Sequence, residues 1–236
     1  MFTGLIKELG KVTRIINKGK DIEIEIESTG LAKTAKTGDS ISVNGCCLTV
    51  KRAGNNNFSF DISFNTLKNT AFKFTRTGDT VNLEDSLAPT DKLGGHFVTG
   101  HIDVAGKILN ISKISNSYKL KMELPPEILP YIVPKGSVSL DGISLTITET
   151  GKDYFCVVII PHTFTCTNLK FKKAGSFVNI EVDLISRYIA HILKYQNYLN
   201  NNVTGDMFVQ DKKTKPADDI KNHLLKESLE KYGFIK

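Results

Sequence analysis

The 236-residue chain has no tryptophan, only four cysteines, and no apolar run near the roughly 18 residues of a membrane-crossing helix. The cysteines, Cys46, Cys47, Cys156 and Cys166, form no C-x-x-C pair, which removes the usual zinc and redox signatures. Cys46 and Cys47 are adjacent, so in a strand they point to opposite faces and cannot bond to each other. Free thiols in a reducing compartment fit this pattern. The start, MFTGLIKELGKV, has neither the long apolar stretch nor the small-residue cleavage site of a secretory leader, and a cytoplasmic location is expected. The net charge of +6 comes from lysines spread along the chain, without a basic patch interleaved with aromatics. Neither a nucleic-acid nor a membrane partner is expected.

What is present is a repeat. Met1-Phe2-Thr3-Gly4-Leu5-Ile6 returns as Phe97-Val98-Thr99-Gly100-His101-Ile102, an offset of 99 − 3 = 96. Phe58–Glu84 aligns without gaps on Phe155–Glu181, an offset of 155 − 58 = 97, and ten of the 27 positions are identical. They include Ile62/Ile159, Thr66/Thr163, Gly78/Gly175, Asn82/Asn179 and Glu84/Glu181. A match of that length at constant offset marks a duplication, which has to be recognised before any fold is assigned.

Each copy reads as short strands. Ile22, Ile24 and Ile26 alternate with Asp21, Glu23, Glu25 and Glu27, the pattern of a half-buried strand; Tyr118, Leu120, Met122 and Leu124 repeat it. Asn44-Gly45 and Asp141-Gly142, each between apolar runs, are two-residue hairpin turns. Thr66–Phe72 predicts a short helix with Thr66 near its cap, and Ser86–Gly95 reads as a linker. About six strands in under 100 residues leave no room for crossover helices. A small closed barrel solves the edge problem for such a module. The expected fold is mainly β: two tandem homologous six-stranded antiparallel β-barrels, residues 1–88 and 97–185, then a C-terminal α-helix at 186–199. Residues 200–236 form a polar extension with a second amphipathic stretch after Pro216. Ile185, Ile189, Ile192, Gln196 and Leu199 step by four and three, a seam suited to self-association.

Taken together, MFTGLI, VNGCCLTV, GGHFVTGHID, DGISLTI and VNIEVD resemble riboflavin synthase of the alpha-chain type, with two lumazine-binding repeats, over residues 1 to about 195. The resemblance implies a homotrimer of double barrels with the C-terminal helices at its centre, and a transferase that dismutates two molecules of 6,7-dimethyl-8-ribityllumazine. One molecule gives a four-carbon unit to the other, yielding riboflavin and 5-amino-6-ribitylamino-uracil. It implies no metal and no organic cofactor, sites shared between neighbouring subunits, and lumazine synthase as a possible protein partner. The rival reading is a non-catalytic lumazine or flavin carrier on the same double barrel. Such carriers lack the Gly-His pair and the C-terminal helix, both present here.

The segments expected to hold the two ligands come in pairs. They are Gly4-Leu5-Ile6 with Gly100-His101-Ile102, Cys47-Leu48-Thr49 with Ser144-Leu145-Thr146, and Asp61-Ile62-Ser63-Phe64-Asn65-Thr66 with Val158-Ile159-Ile160-Pro161-His162-Thr163. Lys135 joins the second set. Donor and acceptor must be treated differently, so the differences between repeats carry information. Leu5 becomes His101, Cys47 becomes Ser144 and Ser86 becomes Asp183. Histidine is the side chain whose ordinary pKa lies closest to neutrality, so His101 is a candidate proton carrier. Ser40, Cys47 and Thr146 are candidates to donate hydrogen bonds, shuttle protons or add to the ring. Asn82 and Glu84 recur as Asn179 and Glu181, which suits either the fold or shared ligand binding. His96 is expected to be structural, and His191 and His223 to lie on helix surfaces. The family usually has glutamate where Asn65 and His162 stand.

Overall fold

A computed structural model describes residues 1–206, with side chains through Gln196; the amphipathic stretch after Pro216 and His223 lie outside the described residues. Residues 1–190 form one compact unit that contains both barrels. Strands β1 (Glu8–Lys18), β2 (Asp21–Glu27), β3 (Ser40–Val43), β4 (Cys46–Ala53), β5 (Asn57–Ile62) and β6 (Thr80–Asp85) close in the order β1-β2-β5-β4-β3-β6. Strands β7 (Val104–Ile114), β8 (Ser117–Glu123), β9 (Ser137–Leu140), β10 (Ile143–Thr150), β11 (Tyr154–Ile159) and β12 (Phe177–Val182) close as β10-β11-β8-β7-β12-β9. This is the same ring entered at another strand, and closure leaves no free edge.

The repeat extends to the irregularities. Register shifts interrupt the first pair between Val12 and Arg14 and between Val50 and Arg52. Their counterparts fall between Ile108 and Asn110 and between Ile147 and Glu149. Such bulges bend the strands, which helps to close a narrow barrel. Asn44-Gly45 and Asp141-Gly142 turn both hairpins with φ of 46° and 80°, and of 46° and 82°. Positive φ at both central residues matches the strand twist and is tolerated best by Asn, Asp and Gly. Each barrel fills its own apolar core, around Ile24, Phe58 and Phe60 in the first and around Leu120, Met122 and Phe155 in the second.

Helix α1 (Phe64–Asn69) starts earlier than its sequence predicts, because the cap is Ser63, whose hydroxyl accepts the Thr66 N–H; Thr66 is inside the helix. Its counterpart α2 (Pro161–Cys166) begins with proline after Ile160, so Thr163 is likewise internal. Glu23 also departs from expectation. Alternation sends it outward, yet its side chain is 4% exposed, covered by Lys18, Lys51 and Arg52. Helix α3 (Leu184–Asp206) is longer than the predicted 186–199. Its start is fixed by Asp183, whose carboxylate accepts the Ile185 N–H, and by Arg187, which grips both oxygens of Asp103 at 2.9 Å. Ile185, Tyr188, Ile189, Ile192 and Tyr195 are all more than half exposed. None of the described helices is long and apolar enough to cross a membrane.

A buried polar seam joins the barrels. Asn82 donates through Nδ2 to the Asp141 carbonyl and Asn179 donates reciprocally to the Asn44 carbonyl, at 2.9 and 2.8 Å. Asn82 Oδ1 accepts the Asn168 N–H and Asn179 Oδ1 accepts the Ala71 N–H. These four bonds form two reciprocal pairs, so the barrels are related by an approximate twofold; the bonds of the Asn168 side chain to Asn44, Asp141 and Asn82 have no counterpart at Ala71. Side-chain amides suit such a seam because each supplies both donors and an acceptor to backbone groups that would otherwise be buried unpaired.

Candidate active site

The Thr-Gly pair that opens each repeat is held by a buried carboxylate of that repeat. Glu84 Oε1 accepts the Thr3 N–H at 2.7 Å and the Thr3 hydroxyl at 2.6 Å, while Oε2 accepts the Gly4 N–H at 3.1 Å. Glu181 holds Thr99 and Gly100 in the same way, at 2.7, 2.5 and 3.0 Å. Burial raises the pKa of both carboxyls above the usual carboxylate value, although these hydrogen bonds oppose the rise. Asn82 and Glu84 are 0% and 1% exposed, so their polar atoms serve the junction.

Beyond the clamp, each turn crosses to the other barrel. The Ser144 N–H donates to the Gly4 carbonyl at 2.8 Å, and the Cys47 N–H donates to the Gly100 carbonyl at 3.0 Å. Both glycines have positive φ, 78° and 83°. A Cβ on Gly4 would lie 2.6 Å from Ser144 Cβ, and one on Gly100 would collide with Cys47. Only glycine meets both demands without strain. Ile6 then packs against the second barrel's core and Ile102 against the first's. Between the hooks, Phe2 and Val98 pair as a short antiparallel bridge, with hydrogen bonds of 2.7 and 3.2 Å.

Two groups of the candidate residues result, and their membership is crossed. Barrel 1 carries Cys47, Leu48 and Thr49 on β4, Ser40 opposite Thr49, Asp61–Thr66 at the end of β5, and Gly100-His101-Ile102 from the second repeat. Barrel 2 carries Ser144, Leu145 and Thr146 on β10, Val158–Thr163 at the end of β11, and Gly4-Leu5-Ile6 from the first repeat. Lys135 is in a left-handed turn (φ 66°) whose N–H bonds the Ile147 carbonyl, next along β10 after Thr146. The proposed catalytic residues are therefore divided: Ser40, Cys47 and His101 on barrel 1, Thr146 on barrel 2. The neighbouring cysteines also differ. Cys46 points into the core and its thiol is pushed up to about 12 by burial, whereas Cys47 is only partly buried.

Both groups mix hydroxyls with exposed apolar surface. Leu5, Phe64, Val158 and Ile160 are 49%, 46%, 39% and 58% exposed. Apolar side chains left open beside polar groups suit a flat ligand or a covering subunit. Tyr118 and Phe164 stack at 3.8 Å where β8 meets α2. Asp61 is engaged by Lys51 at 2.8 Å. His162 Nδ1 lies 3.8 Å from the Cys166 sulfur within α2.

One contact beside the candidate residues was not legible in the sequence. His96, expected to be structural, is buried with Nδ1 2.7 Å from the Ser144 hydroxyl, and its Nε2 has no partner among the described residues. Burial lowers its pKa, and nearby Asp183 opposes that. The signal was the step from Cys47 to Ser144: a hydroxyl in place of a thiol needs its own partner.

The lumazine binding domain model matches the chain twice, at residues 3–86 and 99–183. By this double match and by its relatives, the chain belongs to the lumazine-binding proteins, and within them to the riboflavin synthase family. It is 38% identical over 234 residues to a riboflavin synthase of Actinobacillus pleuropneumoniae, covering 99% of this chain and 100% of that one. It is 42% identical over 197 residues to that of Buchnera aphidicola, covering 82% and 94%. Among solved structures it resembles LumP complexed with riboflavin, with a TM-score of 0.73 and 26% identity, covering 77% of this chain and 99% of LumP. LumP complexed with 6,7-dimethyl-8-ribityllumazine matches similarly, with a TM-score of 0.71.

Proposed function

We propose that this chain catalyses riboflavin synthesis by dismutation, transferring a four-carbon unit between two molecules of 6,7-dimethyl-8-ribityllumazine. The observation that carries this reading is the pair of similar mouths, each completed by the other repeat's hook, with different reactive groups at the corresponding places. One reactant donates and the other accepts, so two like sites with unlike chemistry suit the reaction. Stacking two activated rings in register supplies much of the rate as an orientation effect.

On barrel 1, His101 takes or returns a proton, with Cys47 and Ser40 as hydrogen-bond donors on the same barrel. On barrel 2, His96 accepts the Ser144 O–H and sharpens that oxygen toward the ring, with Thr146 two residues on along the strand. These groups stand on two different barrels, and, as the family resemblance implies, the reaction joins barrel 1 of one subunit to barrel 2 of a neighbour. The exposed face of α3, with Ile185, Ile189 and Ile192, is the means of assembly into a trimer. A cytoplasmic location and association with lumazine synthase complete the reading.

The test is steady-state conversion of the lumazine followed by absorbance. Turnover is expected, with His101→Ala slower by about tenfold or more. Full activity of that variant removes the His101 role. The resemblance to LumP supports a second reading, a carrier, and tight binding of the lumazine without turnover would establish it. Deletion of residues 185–236 is expected to give monomers with little activity by light scattering and assay, and a fully active monomer excludes the shared site.

A further inference from the structure

A charged residue follows each hook, and the two repeats hold it differently. Lys7 stands two residues after Leu5 and Asp103 two residues after His101, an offset of 103 − 7 = 96. Both backbones pair alike with the last strand of their own repeat. The Lys7 N–H donates to the Leu83 carbonyl at 3.0 Å, and the Asp103 N–H to the Ile180 carbonyl at 2.9 Å. The side chains then part. Lys7 meets Asp85 at 2.6 Å with the two side chains 47% and 42% exposed. The Asp103 side chain is 14% exposed and is held from two elements. Its Oδ2 accepts the Val182 N–H from the end of β12 at 2.9 Å, and Arg187, in the first turn of α3, reaches both of its oxygens at 2.9 Å.

The two arrangements differ in what they can fix. An exposed lysine–carboxylate pair is screened and imposes little geometry. A guanidinium that meets both oxygens of a largely buried carboxylate fixes direction as well as distance. His101 lies between two such restraints. Before it, Glu181 clamps Thr99 and Gly100, and the Thr99 hydroxyl accepts the His101 N–H at 3.3 Å. After it, Ile102 packs on the core of barrel 1 and Asp103 is gripped by Arg187. His101 itself is exposed, so the backbone on either side sets where its ring stands. The Arg187 N–H donates to the Asp183 carbonyl at 3.1 Å, which makes the guanidinium part of the helix start. The same turn carries the exposed Ile185, Tyr188 and Ile189.

We propose that Arg187 is a positioning residue for His101: through Asp103 it ties the first turn of α3 to the hook that carries the histidine. The inference rests on the His101 role given above. It also divides the loss expected on deleting residues 185–236, since that deletion removes Arg187 together with the assembly helix. In the first repeat the corresponding charge pairs with β6 of its own barrel, and the hook has leucine in place of histidine.

The experiment compares Arg187→Ala, Lys7→Met and His101→Ala in the full chain. It uses steady-state lumazine turnover, light scattering, and hydrogen exchange of residues 97–104 followed by mass spectrometry. Arg187→Ala is expected to lower kcat by about fivefold or more with KM within about twofold, because misplacing a proton carrier costs rate rather than affinity. Its hook amides should exchange about tenfold faster with assembly unchanged. Lys7→Met, which removes the exposed counterpart, should leave kcat and that exchange within about twofold. Adding Arg187→Ala to His101→Ala should bring no further loss, since the arginine acts through the histidine. Wild-type kcat and exchange in Arg187→Ala overturn the proposal, and a slow His101→Ala chain then leaves the His101 role standing. A fully active His101→Ala chain overturns both. A further loss in the double variant, or altered assembly in Arg187→Ala, means that the arginine acts by another route and also overturns it.

Discussion

Barrel 1 ties the outer faces of β2 and β4 together through Glu23, buried among Lys18, Lys51 and Arg52; barrel 2 has Lys119 and Glu149 at the corresponding places, 2.5 Å apart. The pairing survives with its sign reversed. The mouths diverge further: Asp61 against Val158, Cys47 against Ser144, Leu5 against His101. The buried junction diverges least: Glu84 and Glu181 make the same bonds atom for atom, Asn82 and Asn179 reach each other's hairpin carbonyls alike, and the difference is Asn168 against Ala71. A group whose hydrogen bonds are all internal has no acceptable substitute, whereas a solvent-facing pair has several. What the repeats share is frame, and where they differ is chemistry.

The sharpest way to break this comparison is to remove a clamp. Glu84→Ala and Glu181→Ala each leave three buried donors without an acceptor, and each is expected to cost about 3–5 kcal/mol in urea unfolding. Unequal costs would show that the two halves are not equivalent frames. Next come the mouths. His96→Ala and Ser144→Ala should each slow turnover by about 10², and the double variant should be little worse than either, as for groups acting as a unit. Cys47→Ser gives barrel 1 the residue of barrel 2 and should change turnover only a few-fold.

The crossed hooks give a third comparison. Gly100→Ala should destabilise by about 1–3 kcal/mol and disturb ligand at barrel 1, although it belongs to the second repeat. Gly4→Ala should do the reverse, read by protein-detected NMR shifts on β4 and β10. The smallest effect is in pH dependence. The cations around Glu23 hold its carboxyl down at about 2, so its contribution is present above pH 4.5 and lost as pH falls through about 2. Glu23→Gln should flatten that acid limb. Glu84 and Glu181 act oppositely: with raised values their contribution is full below pH 4.5 and declines as pH rises through them.

Much of this was legible beforehand, for physical reasons that can be named. The duplication, the alternating isoleucines and the Asn-Gly and Asp-Gly turns leave little freedom in topology, and the barrels follow. The exchange of hooks was not legible, because Gly4 and Gly100 occupy equivalent places whether each turn serves its own barrel or the other. Nothing local separates the two. Glu23 was misjudged because alternation fixes direction but not depth, and three long basic side chains can cover an outward carboxylate. The cap at Ser63 was missed because Thr66 is equally able to cap, and the choice depends on where β5 releases the chain.

The exchange of hooks also bears on how such a chain arose. A lone first repeat would carry its Phe-Thr-Gly segment with no β10 to receive it, and its β4 would lack the Gly100 carbonyl. Two identical copies of one repeat could satisfy each other by trading these segments about a true twofold, a form of domain swapping that gives dimers at low cost. Fusion of two such copies turns that twofold into an approximate one and keeps every contact. Once both halves are written in one chain, each mouth can change without altering its twin, and a symmetric receptor for one molecule becomes a place where two identical molecules are treated differently.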